Sequence, residues 1–266
     1  MKTTPLALAV FLLAFASTAC ASTAFAQKAE LLVSAASSLT DVLTSLAPEA
    51  EGYLEARILF NFGASGVLRR QIEEGAPVDV FFSAASEDMD RLADAGLVVR
   101  ATRRDLFSNA IVLIGAGPAG RESAGPVSRV DGLRDILLSA SLLAIGNPDS
   151  VPAGRYAVQA LTTYGLYRIV EKKLVLGGTA RWVLQYVESG SAPLGIVFQT
   201  DALAVRPGRP ARVLFVFPAD AVKTPIQYSA AVVAATKQRD RAAKLLQFFQ
   251  GARAGKAFRG AGFIVP

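Results

Sequence analysis

The chain has 266 residues, 52% of them hydrophobic, so it can bury the core of one large domain or two smaller ones and is too apolar for intrinsic disorder. It contains no histidine, and its one cysteine, Cys20, lies in the leader, so the rest of the chain excludes histidine bases, disulfides and zinc sites built on these residues. The net charge of +6 comes from scattered basic residues without a long cluster, which argues against a nucleic-acid partner.

The chain begins with the pattern of a secretory signal peptide. Lys2 supplies a positive start, an apolar run covers residues 5–16, and the Ala-Phe-Ala at 24–26 has the form of a cleavage site. We therefore expect export to the periplasm, with the mature chain starting at Gln27. Lipid attachment at Cys20 is the alternative, but the leucine usually found three residues before a lipidated cysteine is missing. No later apolar run reaches the roughly 18 residues of a membrane-spanning helix.

Short apolar runs alternate with helical patterns, which is typical of an α/β fold. In the first half, the patterns predict strands at 31–34, 58–62, 78–82 and 109–114, and helices at 39–46, 67–74 and 87–95. Gly75 and Gly96 follow two of these helices, as glycine often does at helix C-termini. Residues 115–132 are rich in Gly, Pro and Ser, which predicts a loop or a crossover between domains.

The second half continues the alternation, with predicted helices at 152–164, 180–188 and 239–250, and strands at 142–145, 194–198, 213–217 and 226–235. We predict two α/β lobes joined by two crossover segments, with a ligand in the cleft where the strands end. The predicted divisions are a signal peptide at 1–26, the first part of lobe I at 27–107, lobe II at 108–225 and a return to lobe I at 226–266.

Four predicted strand-to-helix turns are small and rich in hydroxyl or amide donors. In the first turn, Ser38 is expected to cap the helix, with Asp41 three residues later as its partner. The second turn repeats the pattern with Ser65 between Gly63 and Gly66, and glycine lets the backbone approach a ligand closely. Each turn alone is typical of an ordinary helix start, but the amides of a helix N-terminus also bind anions.

The third and fourth turns offer backbone amides. Pro152 suits the first turn of a helix and leaves the amide of Ala153 free. Thr179 is expected to cap the next helix, ahead of the free amide of Ala180. A fully deprotonated oxyanion only accepts hydrogen bonds, so a pocket made of donors fits it. Asp149, near the third turn, leaves protonated phosphate open as a ligand because that ion needs an acceptor.

Four strings are specific enough to indicate a family. They are AASSLT (35–40), QIEEGAPVDV (71–80), VPAGRY (151–156) and APLGIV (192–197). In order and spacing they resemble the motifs of the periplasmic molybdate-binding proteins, and the resemblance covers nearly all of the mature chain. It implies a type II periplasmic-binding fold and a molybdate or tungstate ligand, delivered by a monomer without cofactor to the membrane permease of an ABC transporter.

The same resemblance implies which residues hold the oxyanion. The hydroxyls of Ser38 and Ser65 and the backbone amides of Ala153 and Ala180 take the family's donor positions. No protein side chain is expected to ligate the metal atom directly, because the ligand is bound through its oxygens.

The chain departs from the family at one ligand position. The family's tyrosine, which follows the Leu-Gly-Ile-Val strand, is replaced by Phe198 and its hydroxyl is absent. A hydrogen bond to a charged group contributes roughly 1.5 to 3 kcal/mol, so its loss would weaken binding by about 10- to 150-fold. Gln199, Thr200, Tyr228 or a water are the candidates to replace it.

Two enzyme classes fit the sequence poorly. Residues 115–120 match the dinucleotide-binding fingerprint of an oxidoreductase, but the helix it needs is broken at 121–126, and neither Asp131 nor Asp135 ends a strand. A serine hydrolase without histidine needs a lysine base, and no Ser-x-x-Lys follows the leader. We expect a binding protein rather than an enzyme. A protein of the same fold for sulfate, phosphate or another small anion remains the alternative, because fold alone does not fix the ligand.

Overall fold

The computed structural model describes residues 28–116, 130–204 and 211–266. The predicted signal peptide, Cys20 and residues 117–120 of the glycine motif lie outside these ranges. Within the described part of the chain, no helix has the length and apolar character needed to cross a membrane.

These ranges form ten strands and ten α-helices. The strands are β1 (Ala29–Ala36), β2 (Ala56–Gly63), β3 (Val80–Ser83), β4 (Arg104–Ser108), β5 (Ile111–Ala116), β6 (Leu143–Gly146), β7 (Leu174–Gly177), β8 (Leu194–Phe198), β9 (Ala211–Val216) and β10 (Gln227–Val232). The helices are α1 (Thr40–Leu54), α2 (Ser65–Glu73), α3 (Ser86–Asp94), α4 (Val130–Ser139), α5 (Pro152–Thr163), α6 (Tyr167–Val170), α7 (Ala180–Glu188), α8 (Gln199–Leu203), α9 (Arg239–Gln250) and α10 (Ala252–Gly260).

The strands form two five-stranded sheets, each at the centre of one lobe. Lobe I has the order β2-β1-β3-β10-β4, with β1 parallel to β2 and β3, and β10 antiparallel to β3 and β4. Lobe II has the order β7-β6-β8-β5-β9, with β6 parallel to β7 and β8, and β5 antiparallel to β8 and β9. The chain crosses between the sheets at 109–110 and at 217–226, which confirms the predicted fold of two α/β lobes with two crossovers.

Helices cover both faces of the lobe I sheet, which explains why its central strands are apolar throughout. Phe82 packs in one core cluster with residues of α1 and α9, whereas Phe81 packs in another with residues of α2 and α3. Alternate residues of a strand point to opposite faces, so both phenylalanines are buried. Because β1 and β2 are parallel, their carboxyl ends lie at the same edge of the sheet, and α1 and α2 begin there.

The structure corrects several predicted elements. Strands β5 and β6 belong to the same sheet, so the interpretation of 115–132 as a crossover is wrong, and α4 begins within that range. Strands β4 and β7 were not predicted because both are short edge strands: β4 mixes charged and apolar residues, and the apolar run of β7 is only three residues long. Helices α4, α6, α8 and α10 were also missed. Gly75 and Gly96 have φ of 89° and 71°, as predicted for residues that end helices.

Candidate functional site

The N-termini of four helices face the cleft between the lobes. The amide of Gly66, at the start of α2, donates to the carbonyl oxygen of Ser150, just before α5, at 3.0 Å. Arg181, at the start of α7, forms an ion pair with Asp41 at the start of α1. Each contact joins a turn of lobe I to a turn of lobe II. The four predicted turns therefore border one cleft, and the lobes are closed on each other.

Ser38 lies in a 3₁₀ turn, Ser37–Leu39, that precedes α1. Its hydroxyl oxygen is buried and lies 2.8 Å from the hydroxyl oxygen of Tyr228 on β10. No side chain caps the start of α1, so the predicted capping box of Ser38 and Asp41 is wrong. The serine bonds across the sheet instead of along its own helix. A cavity of about 200 Å³ borders Ser38 on the α8 side.

Ser65 is the first residue of α2 and is fully buried. Its hydroxyl oxygen accepts a hydrogen bond from the backbone amide of Ala84, which follows β3, at 3.0 Å. A hydroxyl carries one proton, and among the described residues no acceptor lies within reach of the Ser65 proton. This hydroxyl is therefore held in place as an acceptor while its proton is available to a ligand.

Ala153 and Ala180 are the second residue of α5 and the first residue of α7, and both are buried. Neither backbone amide has a hydrogen-bond acceptor among the described residues. Pro152 opens α5, and the Thr179 hydroxyl accepts from the amide of Trp182 at 3.2 Å, which confirms both predicted helix starts. A buried N–H without an acceptor costs about 1 to 3 kcal/mol, so these amides are strong candidates to donate to a bound anion.

Phe198 ends β8 and is buried, with its ring centroid 5.7 Å from that of Tyr228. Among the three side chains considered as replacements for the lost hydroxyl, Tyr228 alone hydrogen-bonds to a predicted donor, since it contacts Ser38. The Thr200 hydroxyl accepts from an amide outside the predicted donor set. The Gln199 side chain forms no hydrogen bond with the described residues. The aromatic wall made by Phe198 and Tyr228 therefore carries one hydroxyl.

Two arginines of lobe II reach acidic side chains of lobe I. Arg155 on α5 pairs with Asp88 and, at 3.4 Å, with Glu87, both on α3. Arg181 on α7 pairs with Asp41, as described above. No local pattern marks these pairs, because the partners of the two closest contacts lie 67 and 140 residues apart. The pairs hold the cleft closed at two points.

Asp201 on α8 extends the second of these pairs into the interior. It is fully buried, and its carboxylate lies 2.8 Å from Nε of Arg181. Burial raises the pKa of Asp201 to about 6, although the neighbouring Arg181 lowers it. Within the described ranges, no group of three or more His, Cys, Asp or Glu side chains is arranged to hold a metal ion. Arg181 pairs with both Asp41 and Asp201, so the three side chains form one ion-pair network.

We expect Asp201→Asn to remove a pH dependence of stability. Because the pKa of this carboxyl rises from 3.8 to about 6 on folding, the folded state binds more protons than the unfolded chain between these values. The contribution of Asp201 to the free energy of unfolding is complete below about pH 4 and falls by roughly 3 kcal/mol as the pH rises through 6.

Urea unfolding of both proteins at pH 4, 5, 6 and 7 measures this contribution. The difference in free energy between wild type and Asp201→Asn should change by roughly 2.5 kcal/mol across that window, since the unfolded chain is already partly ionised at pH 4. The exposed Asp240→Asn serves as the control and should leave the curve parallel to wild type. A parallel curve for Asp201→Asn would show that its pKa is the same in both states.

Known proteins are similar to this chain over almost its whole length. The model of the family described as bacterial extracellular solute-binding protein matches residues 31–264. The molybdate-binding protein ModA of Haemophilus influenzae is 36% identical over 240 residues, 90% of this chain and 91% of that protein. A putative ABC transporter substrate-binding lipoprotein of Bacillus subtilis, YvgL, is 35% identical over 239 residues, 89% of this chain and 87% of that protein.

A solved structure agrees with these sequence matches. The periplasmic molybdate-binding protein of Azotobacter vinelandii has a TM-score of 0.76 and 26% identity, over 89% of this chain and 99% of that one. The resemblance carried by the four sequence strings is thereby confirmed, as is the prediction of a binding protein rather than an enzyme. The chain belongs to the bacterial extracellular solute-binding proteins.

Proposed function

We propose that the protein captures molybdate or tungstate between its lobes and delivers it to the membrane permease of an ABC importer. The observation that carries this proposal is the pair of buried amides, Ala153 and Ala180, without acceptors among the described residues. They lie at helix N-termini, where the helix dipole adds attraction for an anion. Ser38 and Ser65 add hydroxyl protons on the lobe I side of the cleft.

The carboxylates beside the cleft support an anionic ligand, because each is paired with an arginine. Asp41 and Asp201 both pair with Arg181, and Asp88 pairs with Arg155. Each of these carboxylates thus has a guanidinium beside it, with Asp41 and Asp201 sharing that of Arg181, and the cleft presents donors to its ligand. A dianion that only accepts hydrogen bonds suits such a set better than one that also donates.

Asp149 does not supply the acceptor that protonated phosphate needs. Its side chain is exposed, whereas Ala153, four residues later, is buried in the cleft. The backbone amide of Asp149 bonds the side chain of Asn147 at 3.0 Å, so the turn is held in this arrangement. Phosphate is therefore disfavoured relative to a fully deprotonated oxyanion.

The relatives support the same ligand class. The Haemophilus influenzae and Azotobacter vinelandii proteins are both named for molybdate binding. We infer that selectivity against sulfate comes from cavity size, since hydrogen bonds weaken beyond about 3.2 Å and a smaller ion leaves the donors too far away. We further propose a periplasmic, monomeric protein that binds no nucleic acid and whose leader at 1–26 is removed.

Calorimetric titration of the mature chain with molybdate, tungstate, sulfate and phosphate tests the proposal. We expect one-to-one binding of molybdate or tungstate and none of sulfate. Ser38→Ala and Ser65→Ala should each weaken binding by about 10- to 150-fold, because each removes a hydrogen bond to a charged ligand. Ser45→Ala, which alters an exposed serine of α1, is the matched control and should bind as wild type.

Two results would contradict the proposal. Binding of sulfate or phosphate in preference to molybdate would assign the cleft to the alternative anion. Unchanged affinity in both Ser38→Ala and Ser65→Ala, with molybdate still bound, would place the ligand elsewhere in the protein.

A further inference from the structure

Tyr228 lies at the centre of a buried hydrogen-bond chain that ends at the cleft. Its hydroxyl oxygen lies 2.8 Å from Oγ of Ser38 and 3.3 Å from Nδ2 of Asn109. Asn109 is in the first crossover, Tyr228 lies on β10 just after the second crossover, and Ser38 follows β1. All three side chains are buried. The hydrogen-bond chain therefore connects the first crossover, through strand β10, to a predicted oxyanion donor.

The orientation of Asn109 determines the direction of this chain. Its Oδ1 accepts from the amide of Ala110 at 2.9 Å, and its Nδ2 donates to Oγ1 of Thr200 at 2.9 Å. The amide nitrogen carries two protons, so the second one is left for the hydroxyl oxygen of Tyr228. Tyr228 is thereby an acceptor toward Asn109.

One of the two hydroxyl protons in this hydrogen-bond chain remains for a ligand. The hydroxyls of Tyr228 and Ser38 carry one proton each, and the 2.8 Å contact between them uses one. When Tyr228 donates to Ser38, the Ser38 proton is left for the cleft. A chain of hydrogen bonds that run in one direction polarises each member, which strengthens the terminal donor in a site of low dielectric. Burial also raises the pKa of Tyr228 well above its usual range, so its proton stays in place.

We propose that Tyr228, held by Asn109, positions the Ser38 hydroxyl as a donor to the bound oxyanion and so compensates in part for the hydroxyl that Phe198 lacks. The inference rests on the proposed function, because it assumes an oxyanion in the cleft. Phe198 and Tyr228 share one aromatic wall, with ring centroids 5.7 Å apart. Phe198 lacks a hydroxyl, but its neighbour Tyr228 carries one, and this hydroxyl acts on the ligand through Ser38.

A double-mutant cycle tests the coupling. Tyr228→Phe is expected to weaken molybdate binding by about 2- to 12-fold, the effect of one neutral hydrogen bond. In the Ser38→Ala background the same change is expected to have no further effect, since the tyrosine acts through Ser38. Equal losses in both backgrounds, or no loss in either, would overturn the inference. A purely structural role would lower the melting temperature without this dependence on Ser38.

Two further variants separate the remaining explanations. Asn109→Ala leaves the tyrosine ring intact but removes the group that donates to its hydroxyl. This change should weaken binding in the wild-type background and not in the Ser38→Ala background. Equal losses in both backgrounds would contradict the proposed hydrogen-bond chain. Phe198→Tyr in the Tyr228→Phe background should recover the lost affinity, and a variant that binds no better than Tyr228→Phe would overturn the compensation. Wild type that binds none of the four anions would instead refute the proposed function, and this inference with it.

Discussion

Gly66→Ala is expected to weaken oxyanion binding by about 10- to 2,000-fold while leaving each lobe folded. A Cβ at this position would lie 2.8 Å from the carbonyl oxygen and 3.0 Å from Cα of Ser150, which belongs to the other lobe. Overpacking of this kind costs about 1 to 3 kcal/mol, and the interlobe hydrogen bond of Gly66 would lose about 0.5 to 1.5 kcal/mol more. Both Ser150 atoms that the Cβ would meet belong to the backbone, so no side chain can rotate away to relieve the clash.

Gly66→Ala should impair closure of the two lobes around the ligand, and it should leave the stability of the ligand-free protein unchanged. Titration with molybdate gives the affinity, and thermal unfolding without ligand gives the stability of the lobes. Gly52→Ala is the control, because a Cβ there meets nothing within 4 Å and the residue lies in an exposed part of α1. That variant should bind as wild type and gain up to about 1 kcal/mol in stability. Wild-type affinity in Gly66→Ala would mean that the lobes bind the ligand without this contact.

Arg181→Leu is expected to lower the free energy of unfolding by about 3 to 5 kcal/mol. Its guanidinium is the partner of the fully buried Asp201 and also of Asp41 on the other lobe. Removing one member of a buried pair leaves the other charge without compensation, and that is where the cost arises. The same change removes an interlobe contact, so affinity for the oxyanion should fall as well.

Urea unfolding at pH 7.5 measures the loss of stability. Arg181→Leu combined with Asp201→Asn should recover most of it, since no buried charge then remains unpaired. Arg168→Leu is the matched control, because its side chain is 90% exposed and a surface pair contributes at most about 1 kcal/mol. A loss in Arg181→Leu no larger than in Arg168→Leu would show that the buried pair does not stabilise the fold.

The elements that sequence patterns predicted well are those with a local signal. Helix α7 (Ala180–Glu188) and strand β8 (Leu194–Phe198) agree with the predicted 180–188 and 194–198, because α7 has a helical apolar period and β8 is a continuous apolar run. Edge strand β4 lacks such a signal because it is only partly covered, and the apolar run of β7 is only three residues long. The starts of α5 and α7 were likewise local and readable from Pro152 and Thr179.

Contacts that depend on distant residues could not be predicted in the same way. Ser38 was expected to cap its own helix, but its partner is Tyr228, 190 residues later. Asn109 and Asp201 carry no motif that marks them, and their importance arises only when the crossovers and α8 bring them beside the cleft. No single motif determines which anion binds, because the donors come from four separate turns.

The order of strands in lobe I sets the order in which the two lobes can be completed. β10 lies between β3 and β4, so β4 has no neighbour in its sheet until residues 227–232 have arrived. Lobe II is contiguous, with all its strands between residues 111 and 216, and it can assemble from its own segment alone. As the chain emerges from its N-terminal end, the lobe that begins first is therefore finished last. Tyr228, delivered by the same late strand, makes the binding cleft one of the final features of the molecule to form.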